Sequence, residues 1–220
     1  MPRAPRARPA PSVPLRALRP QAQRKRQSLL DAATRMFLEL GYEAASINDL
    51  IARVGGSKSS VYAHFGSKEA LFAAIIDATL SEVLAPLTDL DLRERPLAEG
   101  LEFLALKTLE ALTSERGVGV QRLVFAEALR EPAIGRLYWE HGPARGIEGL
   151  SRYLRLRAAR GDAVVPDPQP AAEYFWGMLL HRIMLERYCG VSGPPTRAQM
   201  AALARRVSAD FLAQWAPRPV

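Results

Sequence analysis

Glycine stops answered by serine starts constrain how residues 41 to 71 can fold. Gly41 closes an apolar-periodic run, and Ser46 with Asp49 three residues later has the spacing of an acidic capping box for the next segment. Gly55 and Gly56 end that segment. Ser57 opens another that runs through about Phe65, and Gly66 breaks the chain before Ser67 caps a longer one. The pattern predicts a short helix over 47–54, a second from Ser57 to about Phe65, and a third from Ser67 to about Leu84.

Two short helices joined by a glycine-containing turn form a unit that presents its second helix to the DNA major groove. Ile47, Leu50, Ile51 and Val54 give the first of them an inner face, and Val61 and Phe65 do the same for the second. Lys58, Ser59, Ser60, Tyr62 and His64 are left outward. These are small, hydrogen-bonding or cationic groups near a helix N-terminus, where free amides and the helix dipole also favour phosphate.

Across 25–72 the chain resembles the TetR/AcrR family of one-component regulators. The resemblance rests on Ala32, Ala33, Phe37, Gly41, Tyr42, Ser46, Asp49, Gly55, Ser57, Lys58, Tyr62, His64, Phe65, Ser67, Lys68 and Glu69 at fixed spacing. It implies that Ser46 touches a phosphate, that Ser57 caps the recognition helix, and that Lys58, Ser59 and Ser60 face base edges or flanking phosphates. It further implies that Tyr62 and His64 bond phosphates and that Lys68 lies near the DNA backbone. Ile51 and Gly56 depart from the family, which has a small residue and a valine there. Added volume at one and lost volume at the other predict local repacking.

Upstream, Leu29, Leu30, Ala33, Phe37 and Leu40 recur at helical spacing, which gives a helix near 24–40. Downstream, apolar-periodic segments near 96–113, 118–130, 133–160, 169–189 and 196–214 lie between prolines and glycines. The expected fold is all-α, with about nine helices and no strand. Its parts are an arm over 1–23, a DNA-binding domain over 24–70 and a helical domain over 71–220. The segments from Arg122 to Gly161 and from Asp167 to His181 look like the AefR-type C-terminal region of the same family. That likeness implies a ligand cavity and a homodimer interface formed by the last two helices.

Charge sharpens the reading. The formal charge is +7, yet residues 1–30 hold seven Arg and one Lys without an acid, so the remaining chain is close to neutral. Residues 1–23 contain six prolines and five arginines, too little apolar surface to offset the entropy of ordering. We expect a disordered basic arm, either a solubilising tail or a DNA contact. The one cysteine, Cys189, excludes an internal disulfide, and the chain shows neither a membrane-length apolar run nor a secretory signal. A cytoplasmic location follows as the expectation.

The three histidines, His64, His141 and His181, lack metal-ligand spacing, and motifs for phosphate-loop, zinc-protease or serine-hydrolase chemistry are absent. Neither catalytic residues, a metal nor a cofactor is expected. Candidate effector contacts are Phe103, Lys107, Phe125, Tyr138, Trp139, His141, Phe175, Met178, His181 and Arg182, although aromatic stripes at helical spacing usually fill cores. An inward Arg182 or His181 would suit an anionic or hydrogen-bonding effector. The resemblance implies a regulator of a pseudo-palindromic operator on double-stranded DNA, by default a repressor released by an unknown small molecule. An activator, an architectural DNA binder or a peripheral lipid-binding protein stays open, though the arm lacks the apolar face that membrane binding requires.

Overall fold

The computed structural model describes residues 20–55, 57–88 and 94–215, and among them every regular element is an α-helix. They are α1 (Pro20–Ala44), α2 (Ile47–Val54), α3 (Lys58–Phe65), α4 (Lys68–Thr88), α5 (Leu97–Leu112), α6 (Glu115–Ala128), α7 (Pro132–His141), α8 (Pro143–Ala159), α9 (Pro168–Tyr188) and α10 (Arg197–Trp215). The first helix starts four residues before Arg24. The rest of the basic arm, 1–19, and Gly56 lie outside the described residues.

Helix α1 turns its apolar stripe inward, burying Leu29, Leu30, Ala33, Met36 and Phe37. At Gly41 (φ 78°, ψ 167°) it breaks, a left-handed backbone that glycine adopts without a Cβ clash. The break swings Tyr42 back onto the core, where it stacks on Phe37 at 5.6 Å and meets Phe72 of α4 at 5.1 Å. Burial, followed by the charge of Glu69, pushes the Tyr42 hydroxyl up to about 12.

The first buried cluster holds α1 to α4 together and does not stop there. It continues through Leu112, Val118, Val120, Val124, Ile134 and Met184 of the C-terminal half. Arg116 of α6 reaches Asp31 of α1 at 3.3 Å across the same seam. A second cluster, including Leu101, Leu154, Phe175 and Phe211, joins α5, α8, α9 and α10. The two halves therefore share packed surface, and a displacement in one is felt in the other.

The segment expected as one helix near 133–160 is two. Gly142 sits at φ −118°, ψ −93°, and Pro143, which has no N–H to continue the ladder, is the first residue of α8. No helix among the described residues is long and apolar enough to cross a membrane.

Candidate nucleic-acid interface and internal cavity

The interface begins with local chemistry at three helix starts. Ser46 Oγ accepts from the Asp49 amide at 3.2 Å, while the Ser46 amide donates to Asp49 Oδ2 at 2.9 Å, closing the capping box. The Ser46 hydroxyl donates to the same carboxylate at 2.6 Å. Ser57 Oγ caps α3 through the Ser60 amide at 3.3 Å and lies 2.8 Å from Ser59 Oγ, and Ser67 Oγ takes the Ala70 amide at 3.0 Å. Gly55 (φ 70°) and Gly66 (φ 81°) turn the chain between these helices.

The two hydrogen bonds from Ser46 hold the Asp49 carboxyl below its ordinary value of 3.8. Its folded pKa lies below the unfolded one, so this cap stabilises the fold above that value and is lost as the pH falls through the folded pKa. An Asp49→Asn variant should therefore show a flatter acid limb in its melting temperature between about pH 5 and pH 2. An acid limb identical to wild type would contradict the assignment.

Helices α2 and α3 bury Ile47, Leu50 and Val61, with Ile51 and Phe65 half-covered against the same core. Val54, expected on the inner face, is instead exposed, because the short helix ends past the core. Lys58, Ser59 and Tyr62 stand in solvent, and Ser60 and His64 are half-exposed. Lys58 makes no ion pair among the described residues, whereas Arg53 pairs with Glu39 at 2.6 Å and ties α2 to α1. Arg26 lies 5.3 Å over the Phe65 ring, which sets the first turns of α1 beside the end of α3.

Lys68 has partners within the fold. Its ammonium donates to the Glu43 carbonyl at 3.1 Å and sits 4.4 Å over the Tyr42 ring, closing the α1–α2 loop onto α4. The Ser46 hydroxyl is likewise engaged in its cap, so a phosphate contact there has to be shared with Asp49.

A cavity of about 660 Å³, open to solvent on one side, lies between α4, α5, α6, α7, α8 and α9. Of the effector contacts expected from the sequence, Phe125, Tyr138, Trp139 and His181 line it. Phe175 is fully buried in the second cluster, edge-on to Phe211, and Phe103 packs there beneath the Arg95 guanidinium. Lys107 pairs with Glu110, Arg182 is 88% exposed and pairs with Glu186, and Met178 faces outward. His141 Nδ1 bonds Asp77 of α4 in place of the cavity.

Wall residues that the sequence pattern did not single out include Gln121, Trp176, Leu180, Met184 and Tyr188. Those on α9 share a stripe with Gly177, His181 and Leu185 at helical spacing, a signal that was present in the sequence. Among the described residues there is no group of three or more acidic, His or Cys side chains able to hold a metal.

A capped two-helix unit with an outward polar face, packed on a helical body that holds a cavity, defines a helix-turn-helix DNA-binding regulator. Similarity to known proteins narrows the class. Residues 29–75 match the bacterial regulatory proteins of the tetR family, and 99–217 match the C-terminal domain of AefR-like transcriptional repressors. The chain belongs to the TetR family.

A crystal structure of a TetR-family transcriptional regulator from Mesorhizobium loti is 30% identical, with a TM-score of 0.77, and the match covers 90% of this chain and 100% of that one. The flavonoid-responsive regulator FrrA matches at 30% identity and a TM-score of 0.71, over the same shares of the two chains. The A-factor receptor protein of Streptomyces griseus is 42% identical over 57 residues, 26% of this chain and 21% of its own length. The chain thus spans about a fifth of that curated relative, and the shared part is short.

Proposed function

We propose that the protein is a homodimeric repressor that binds a pseudo-palindromic operator through α3 and leaves it when a small molecule fills the cavity. The observation that carries this reading is the outward face of α3, where Lys58, Ser59, Ser60, Tyr62 and His64 stand on a scaffold fixed by three caps. Lys58 reads a base edge or a phosphate, while Ser59, Ser60, Tyr62 and His64 position the helix on the backbone. Ser57 acts through its cap, Ser46 shares its hydroxyl between cap and phosphate, and Lys68 holds the loop rather than reaching far into the groove.

Dimerisation is supported by α9, which leaves Tyr174, Met178 and Leu185 exposed along one side, beside exposed Ala202, Ala209 and Ala213 of α10. Release is a matter of linkage. Leu80 lines the cavity on the same helix that starts at Lys68, twelve residues or about 18 Å of helix away. An effector that favours a different setting of α4 changes the spacing of the two α3 helices and weakens DNA binding by the factor that DNA weakens effector binding. The flavonoid-responsive relative supports small-molecule control of this architecture.

Sequencing of genomic fragments retained by the purified protein tests the reading. An enriched inverted repeat is expected, and enrichment of no palindromic site would overturn it. The arm offers a second check. Removal of residues 2–19 should lower affinity and reduce the slope of log K against log salt by about 0.9 for each phosphate that the arm neutralises. An unchanged slope would make the arm a passive tail.

A further inference from the structure

The cavity wall is chemically one-sided. Among the described residues that line it there is no Asp, Glu, Lys or Arg, and the carbon-rich surface comes from Leu80, Leu112, Phe125, Ile147, Trp176 and Met184, among others. His181, the remaining ionisable side chain apart from two tyrosines, is solvent-exposed at the rim. A charged group seated against this wall would lose its hydration with no ionic partner to replace it. The volume of about 660 Å³ is that of a small-molecule site.

One polar assembly interrupts this surface. The Gln121 amide is buried, and its Nε2 donates to the Leu112 carbonyl at 3.3 Å and the Gly117 carbonyl at 3.0 Å. Carbonyls only accept, so the amide orientation is fixed and Oε1 must face the tyrosines. Tyr138 and Tyr188 both donate to that oxygen, at 2.9 Å and 2.6 Å. Burial raises both hydroxyls, Tyr188 to about 12, so they keep their protons at neutral pH. Each phenolic oxygen therefore has its proton committed to Gln121 and can only accept from anything in the cavity.

We propose that the cavity takes an uncharged, largely apolar molecule bearing a hydroxyl group, seated so that its O–H donates to the Tyr138 or the Tyr188 oxygen. The proposal rests on the reading of the cavity as the effector site. A hydroxyl suits this wall because it brings the tyrosine oxygens the proton that they lack. An ether oxygen would face two acceptors, and a carboxylate would face them with an unpaired charge. Gln121 is a positioning residue that sets this preference by fixing where the tyrosine protons point.

The test uses the full chain at neutral pH and three probes of one shape: β-naphthol, its methyl ether and β-naphthoate. Binding is read by quenching of tryptophan fluorescence, since Trp139 and Trp176 line the cavity. β-Naphthol should bind about five- to tenfold more tightly than the ether, the yield of one well-made neutral hydrogen bond, and the naphthoate should bind most weakly. In Gln121→Leu the two tyrosine protons are released as free donors, so the naphthol-to-ether ratio should fall to one or invert. The wild-type ratio stands even if that variant fails to fold. Equal or tighter binding of the ether by wild type, tightest binding of the naphthoate, no binding of any probe, or an unchanged ratio in a folded Gln121→Leu each overturn the proposal. Release of enriched operator DNA, followed in parallel, separates the two claims. Naphthol-selective binding without release would refute the effector reading alone, and equal release by all three would refute the ligand class alone.

Discussion

Phe72→Ala should lower the free energy of unfolding by about 3–5 kcal/mol, a large fraction of the roughly 5–15 kcal/mol typical of a folded protein. Phe72 is almost wholly buried in α4 and meets Phe37 of α1 edge-on at 5.4 Å and Tyr42 at 5.1 Å. Its removal opens a cavity where α1, the loop after Gly41 and α4 converge, and the half-buried helices α2 and α3 depend on that floor. Because the first cluster runs on into α6, α7 and α9, unfolding should be a single transition in urea and should carry the C-terminal half with it. A loss below about 1 kcal/mol, or a separate early transition of the N-terminal helices, would show that the shared core is not as cohesive as its packing implies.

Lys58→Ala should weaken operator binding by about a hundredfold while leaving the melting temperature almost unchanged. The side chain is exposed and unpaired among the described residues, so its loss costs the fold within about 0.5 kcal/mol. A base-edge or phosphate contact is worth about 1–3 kcal/mol, and a two-fold complex forfeits it twice. Fluorescence anisotropy on the enriched duplex, with thermal melting as the control, reads both quantities. An affinity within threefold of wild type would remove Lys58 from the interface.

How much of this was legible in sequence differs by the kind of information each feature needs. The helix starts at Ser46, Ser57 and Ser67 and the break at Gly41 depend on residues one to five apart, and the sequence states them directly. The break at Gly142–Pro143 was equally local: Pro143 has no N–H to continue the ladder, and Ile134 and Leu137 before it are out of phase with Leu150 and Leu154 after it. Val54 follows the period of its neighbours yet lies beyond the edge of the core, which a period cannot report.

The cavity was harder, because its wall is set by which helices face one another. Phe175 and Tyr138 look alike as aromatics on apolar helices, but one is sealed in the α5–α10 core and the other points at the void. Gln121 carried no signal, since a glutamine on a helix normally faces water, and its buried amide is explained only by four partners, two of them the distant Tyr138 and Tyr188. The contact of Lys68 with the Glu43 carbonyl, 25 residues away, is of the same kind.

Operator binding by a two-fold pair of α3 helices is tested most directly by hydroxyl-radical footprinting of the protein on its enriched duplex. Two such helices predict two protected segments, centred about 34–36 Å or a multiple of that apart on one face of the DNA, both fading together in Lys58→Ala. A single protected segment, or protection that spreads evenly along any duplex, would contradict it.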